Sequence, residues 1–433
     1  MPVRKFRIPY GRTSLQFRLP ASMRVHVASS HKTAPVQNAV TAIREALGHP
    51  LGSSPLHRLA RSGDRVCIVF TDITRPSPDH LLIPALLEEL FEAGVKDDDI
   101  TLLCGTGMHR PSTALEKVTK LGAKIVSRYR VLDHDAQNGQ NLVDLGRTPG
   151  GAPILVNRLA VEADLLIATG TVEPHQYAGY SGGRKATSIG VGGEALIAFT
   201  HGPVFVDHPG TRLGRIDGNP FHEVITEVAR RASLRYILNV VQDEKERILC
   251  VAAGNPEVVF QELVAFARPV YEVNIPHACD IAIGGIGYPK DSNLYQASRA
   301  PTYLYFAPTP VVRPGGFLII SARCEEGAGK GVGEVRFLAA MRDAPDIQSI
   351  LEGARRNGYP PGQQRAYILA RVLEQTRIVI VGSECPDLVS ACKMTPASTM
   401  DEALDMACKE IGPSCRVLVV PHAMLTLPVI STE

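Results

Sequence analysis

Two stretches of the chain repeat one plan. DRVCIVFTDITRPSPDHLLIPALLEELFEAG and DDITLLCGTGMHRPSTALEKVTKLGA each run from an apolar strand through a polar turn into an amphipathic helix. Successive strand-turn-helix units pack on one sheet as right-handed crossovers, so the repeat commits this region to parallel α/β architecture. The turns then open on one rim, outside the carboxyl ends of the strands, where ligands of such sheets bind. The first strand is expected to end near Phe70, with a turn over Thr71 to Ser77, Ser77 as N-cap and Pro78 at the first helical position. The second is expected over 100–104, with Gly105, Gly107, His109 and Arg110 in its turn and a helix from Pro111-Ser112.

A chain of 433 residues exceeds what one core usually serves. The strand and glycine-turn pattern returns in CDIAIGG, GGFLIISARCEEGAGKGVG, TRIVIVGS and CRVLVVPHA. The expectation is two α/β domains with mainly parallel sheets and an interdomain active-site cleft. Residues 1–270 form the cofactor-binding and catalytic domain, and 271–433 an α/β domain supplying substrate-side residues. The tail around PHAMLTLP is expected to return to the first domain. Smaller features are an antiparallel pair within residues 5–28 around Pro9-Tyr10-Gly11 and helices over 35–48, 220–231 and 256–269. PILVNRLAVEADLLIATG reads as a strand pair, and LRYILNVVQDEKERILCVAAG as a hairpin bending at Asp243 to Arg247.

Composition matters here for what it excludes. A net charge of +2 offers no global attraction to nucleic acid, so anion binding should be local. Nine cysteines without a CxxC motif suit a reduced cytoplasmic chain, and no apolar run long enough to span a membrane is present.

The densest concentration of chemistry is PHQYAGYSGGRKATSIGVGGEALIAFTH, from Pro174 to His201, directly after the apolar strand Leu165 to Thr169. It sets His175 and His201 at the ends of a glycine-rich loop carrying Tyr177, Ser181, Arg184 and Lys185. Gly179, Gly182 and Gly183 permit close approach of a ligand to the backbone. The loop fails the Walker A pattern because Arg184 precedes the lysine and Ala186 follows it, and no GxGxxG joins strand to helix. Lys185 therefore reads as a nucleophile or as a salt-bridging, phosphate-binding cation. After the first strand, Asp72 can orient an imidazole or bind a hydroxyl, and Arg75 can clamp a carboxylate or phosphate. Thr71 and Thr74 add donors. His109 opens the next turn, where it can share the rim with His175 and exchange protons near neutrality. His134 beside Asp135 reads as a structural pair or one that supports the site residues from behind. In DSNLYQASRA, Gln296 and Arg299 are three apart on one helix face beside Tyr295 and can hold a carboxylate.

Taken in order, RIPYG, FTDITRPSP, GTGMHRP, HQYAGYSGGRKA and DSNLYQASRA resemble the nickel-pincer-nucleotide enzymes of the lactate racemase family across nearly the whole chain. The resemblance implies a racemase or epimerase that inverts C2 of a 2-hydroxy acid by reversible hydride transfer. It implies nickel held in a pyridinium-3-thioamide-5-thiocarboxylic acid mononucleotide, attached through Lys185 and coordinated by His201. On the same matching His109 and His175 are the acid/base pair, Arg75 orients the substrate carboxylate, and Gln296 and Arg299 complete the catalytic set. Asp72, Thr74, Arg75, Tyr177 and Ser181 join Lys185 and His201 around the cofactor. Cofactor-biosynthesis proteins are implied as partners, with a small 2-hydroxy acid as substrate and neither nucleic acid nor membrane. The family's lactate racemases carry lysine where this chain has Arg299, and that wider planar donor favours malate or a larger acid. Lactate racemisation, another hydroxy-acid redox reaction and nonenzymatic cofactor carriage are the alternatives.

Overall fold

The computed structural model describes residues 3–431; the first two and last two residues lie outside that stretch. The chain divides into two units, one comprising residues 32–201 and 216–270, the other residues up to His31, Gly202–Arg215 and the chain from Tyr271 onward. The division departs from the expected boundary near 270. Residues 24–27 add to the sheet of the second unit beside Arg416–Val420, and Ile8, Phe17 and Leu19 join its core.

The first unit is built on a six-stranded sheet in the spatial order Ile248–Gly254, Leu234–Gln242, Leu165–Thr171, Val66–Thr71, Ile100–Gly105, Arg130–Asp133. All its pairings are parallel except the edge hairpin of Leu234–Gln242 with Ile248–Gly254. VCIVF and LLIAT are buried throughout, the continuous apolar pattern of strands covered on both faces. From Val66–Thr71 the chain steps outward through Ile100–Gly105 to Arg130–Asp133, then returns to lay Leu165–Thr171 on the other flank of Val66–Thr71. Strand order therefore reverses between these two strands, and the turns after them stand where sheets of this kind bind ligands.

Local signals shift by a few residues. The first crossover helix is Asp79–Glu92, with Pro78 rather than Ser77 at the cap position. The second is Ala114–Leu121, because Thr113 and Glu116 form a capping box downstream of Pro111-Ser112. The strand pair expected in PILVNRLAVEADLLIATG does not form. Pro153–Asn157 pairs antiparallel with Leu142–Arg147, and a helical turn, Arg158–Val161, separates it from Leu165–Thr171.

The second unit carries a wholly parallel sheet in the order Thr395–Ala397, Arg377–Val381, Val312–Ser321, Cys279–Gly285, Arg416–Val420, Arg24–Val27. The expected hairpin is Val3–Tyr10 with Thr13–Pro20, turned at Gly11 with φ +52°. The tail groups with the second unit. Leu427–Ile430 pairs in parallel with Glu272–Ile275 inside the same unit.

Candidate active site

The turn after Val66–Thr71 is organised by Asp72. Its Oδ1 accepts hydrogen bonds from Thr74 Oγ1 at 2.6 Å and Thr74 N at 3.2 Å, which closes the turn locally. Its Oδ2 lies 2.5 Å from His109 Nδ1, across from the next turn of the rim. Burial pushes the Asp72 carboxyl up, but the His109 hydrogen bond and charge, Arg75 and the Thr74 hydroxyl outweigh it and hold the group well below the usual carboxylate range. The contact takes up His109 Nδ1 and leaves Nε2 as the ring nitrogen outside this pair. Two residues separated by 37 positions thus behave as one unit.

The His109 turn is tied in turn to the lysine-bearing segment. Lys185 ends a short helical turn, Gly183–Lys185, that runs into a π-helical turn, Ala186–Gly190, packed against Val66–Thr71, Ile100–Gly105 and Leu165–Thr171. Gly107 N donates to Gly190 O at 2.8 Å, and a Cβ on Gly105 would lie 3.2 Å from the Gly190 Cα. A side chain there would press the two backbones apart by a few tenths of an ångström. A π-helical turn is a recurrent mark of functional segments, since its widened ring re-aims the side chains around it. His134 supports the same place from behind. It is buried, its Nε2 donates to Gly192 O at 2.9 Å, and its Nδ1 accepts from Asn157 Nδ2 at 2.9 Å. The expected pairing with Asp135 is not made; Asp135 caps its own turn through Gln137 N.

His175 and His201 meet in an aromatic cluster. Tyr177 lies 4.9 Å from the His201 ring and stacks on Phe221 at 5.6 Å, while Phe221 meets His201 edge-on at 5.2 Å and stands 6.4 Å from His175. His175 Nδ1 accepts from the Tyr177 and Ala178 amides, which places the proton of the neutral ring on Nε2. His201 closes the helix Glu194–Thr200 and donates its Nδ1 proton to Ile197 O at 2.9 Å, so its Nε2 carries the lone pair. The Ser181 hydroxyl donates to Thr171 O at 2.6 Å and accepts from Glu173 N, closing the loop on itself.

Sequence reasoning missed the residues that grip this loop. Asn219, completely buried at the cap of Pro220–Arg231, donates to Tyr177 O at 2.8 Å, and Phe221 follows it. Thr226 of the same helix accepts from Arg184 at 2.9 Å, whose guanidinium lies 3.8 Å over the Phe260 ring. Burial pulls Arg184 down to about 10. The Asn-Pro before an amphipathic run marks the helix start, but nothing local says which loop its cap will hold.

In the other unit Arg299 donates to Gln296 Oε1 at 3.2 Å and to the Tyr303 hydroxyl at 3.1 Å. Arg365 sits 5.8 Å from the Tyr295 ring and donates to Thr302. A grouping of side chains within metal-binding reach, His57, Glu89 and Glu92, involves the far end of helix Asp79–Glu92, about 15 Å along its axis from Asp79. Among the described residues no helix is long and apolar enough to cross a membrane.

Residues 10–214 match the model of the lactate racemase N-terminal domain and residues 275–427 that of the lactate racemase C-terminal domain. The lactate racemase of Thermoanaerobacterium thermosaccharolyticum is 33% identical over 422 residues, 96% of this chain and 97% of that protein. That of Lactiplantibacillus plantarum is 34% identical over 384 residues, 88% of this chain and 89% of that protein. The structure of the Thermoanaerobacterium lactate racemase apoprotein superposes with a TM-score of 0.88 at 30% identity, covering 99% of this chain and 100% of the other. A Thermotoga maritima protein shares the fold, with a TM-score of 0.69 at 19% identity over 93% of this chain and 100% of the other.

Proposed function

The chain belongs to the lactate racemase family, and from that premise we propose that it interconverts the enantiomers of lactate at the rim built on Asp72, His109, His175, Lys185 and His201. Membership makes it a nickel-pincer-nucleotide-dependent racemase of 2-hydroxy acids. The relatives are named for lactate, so lactate goes ahead of the dicarboxylic or larger acid that Arg299 favours.

The residues present suit the cofactor. A histidine that donates one ring proton to a backbone carbonyl and keeps a lone pair on the other nitrogen is the usual metal-ligating arrangement, and His201 has it. One protein imidazole would suffice where the organic ligand brings the remaining donors. Lys185 is the proposed point of attachment, with Tyr177, Thr74 and Ser181 around it, and biosynthetic proteins must supply the group. When bound, the cofactor supplies reversible acceptance of hydride from C2.

The chain's own work is to manage the hydroxyl proton and hold the acid still. His109, set by the Asp72 carboxylate, takes that proton for one enantiomer, and His175 does so for the other; each returns it in the reverse direction. Arg75 holds the carboxylate while C2 turns from one face to the other. The observation that carries this reading is the 2.5 Å Asp72–His109 contact on a turn whose backbone is locked to the Lys185 segment.

The test is polarimetry of protein loaded with the complete cofactor, on pure L- and D-lactate and then on malate and sugar-acid pairs. Loss of rotation from both lactate enantiomers is expected. No change with any acid, nickel occupancy being confirmed, removes the assignment. Intact mass after denaturation is expected to show an adduct on Lys185; an active, loaded protein without one removes the covalent attachment alone.

A further inference from the structure

Beneath the Asp72 turn lies an ion pair with no role so far. Asp79 is completely buried and Lys120 is 6% exposed, with Lys120 Nζ 3.2 Å from Asp79 Oδ2. The ammonium also donates to the carbonyls of Arg75 and Ser77, each at 2.8 Å. Asp79 Oδ1 accepts from Thr169 Oγ1 at 2.6 Å and Ser77 Oγ at 3.0 Å, and Oδ2 accepts from Thr71 Oγ1 at 3.2 Å. One hub therefore joins the ends of strands Val66–Thr71 and Leu165–Thr171, the first turn of Asp79–Glu92 and helix Ala114–Leu121.

Stability does not explain such a hub. A buried ion pair recovers little beyond its desolvation cost, and an apolar pair of similar volume commonly serves stability as well or better. An apolar pair has no donors, however, with which to hold two carbonyls of the turn above it. Those carbonyls belong to Arg75 and Ser77, in the turn that also carries Asp72 and Thr74. Strands 66–71 and 165–171 are also the two between which strand order reverses, so the hub fixes the turn relative to both of them.

We propose that Asp79 and Lys120 are positioning residues that set the Asp72–Ser77 turn, and through it Arg75 and the Asp72–His109 pair, for substrate; the inference rests on the role given to Arg75 above. Lys120→Met alone would strand a buried carboxylate and can simply fail to fold. The informative variant is the neutral, near-isosteric double substitution Asp79→Asn with Lys120→Met. Thr169→Val, which keeps the ion pair and removes one hydrogen bond to Asp79, is the milder companion.

Two readouts are taken on the cofactor-loaded protein. Amide hydrogen exchange is expected to quicken about tenfold or more at residues 73–77 in the double variant, with the amides of 66–71 and 165–171 close to wild type. The KM for L-lactate is expected to rise on the order of tenfold, with a smaller fall in kcat, since misplacing a binding group by a fraction of an ångström acts on substrate before chemistry. Thr169→Val should show the same pattern at lower amplitude. Unchanged exchange at 73–77 in both variants, or exchange quickened uniformly across the unit, overturns the proposal and leaves a merely structural pair. Arg75→Ala is the control: an unaltered KM there counts against the function given to Arg75, whatever the exchange at 73–77 shows.

Discussion

The two sides of the site hold their histidines by different physics. His109 is held by charge: a buried carboxylate at 2.5 Å, a threonine closing the turn, and an ion pair under the backbone. His175 and His201 are held by neutral contacts: the Tyr177 and Phe221 rings, two amides on one Nδ1 and a carbonyl on the other. Charge fixes the direction of a proton, because the carboxylate accepts from one ring nitrogen and leaves the other to react. Ring packing fixes a plane, which suits a metal ligand and the flat face of a cofactor. The two acid/base candidates are therefore not built as mirror images, although inversion asks them for mirror-image work.

The largest effect comes from removing either imidazole. His109→Gln and His175→Gln are each expected to lower kcat/KM for lactate on the order of a hundredfold to ten-thousandfold, the usual weight of a positioned acid or base. Because the equilibrium constant between enantiomers is one, kcat/KM must fall equally from L- and D-lactate within each variant. Unequal construction of the two sides should instead appear in the separate kcat and KM values, read by polarimetry from each enantiomer. A variant that keeps a tenth or more of wild-type activity would remove its histidine from the pair.

A smaller effect separates plane-holding from proton-moving on the aromatic side. Phe221 is completely buried against His175, Tyr177 and His201 and carries no proton. Phe221→Leu keeps most of the volume and loses the ring contacts, at a cost of roughly 1–3 kcal/mol in stability. The expected signature is weaker nickel retention on dialysis, with Asp72–His109 unaffected. Undiminished nickel retention would show that Phe221 merely fills space.

How much of this was legible follows from where the information sits in the chain. Val66–Thr71, Ile100–Gly105 and Leu165–Thr171 were readable because buried parallel strands are continuous apolar runs. The turns after them were readable because histidine, arginine and glycine cluster there. Arg24–Val27 was not: RVHV resembles the preceding hairpin, and its partner Arg416–Val420 lies at the other end of the chain. Lys120 in ALEKVTKLG has the spacing of an ordinary solvated lysine, and Asp79 reads as a first-turn carboxylate complementing the helix dipole. Their burial exists only once three elements meet. The helix over 220–231 was readable, but neither its cap Asn219 nor Phe221 was singled out, because a helix start does not announce its tertiary target.

The last comparison is in pH, where the two sides should fail in order. Burial first, then the Arg184 charge, pulls His222, which lies beside Phe260 and hydrogen-bonds the Ala178 backbone, down from 6.5 to about 4. A histidine with a depressed folded value is bound neutral, so the unfolded chain takes up more protons between these values. Its contribution is complete above 6.5 and is lost as pH falls toward 4, at most roughly 3 kcal/mol. Asp72 is depressed in the folded state as well, but from 3.8 downward, so its contribution is intact above 3.8 and is lost only as pH drops below that. Acidification from 6.5 to 4 should therefore loosen the Tyr177–Arg184 loop while the Asp72 turn stays closed. Amide exchange across that window would show it, and His222→Asn should flatten the dependence of Tm on pH there. A wild-type Tm that is level from 6.5 to 4, or an Asp72 turn that opens first, would reverse the assignment of charge to one side and neutrality to the other.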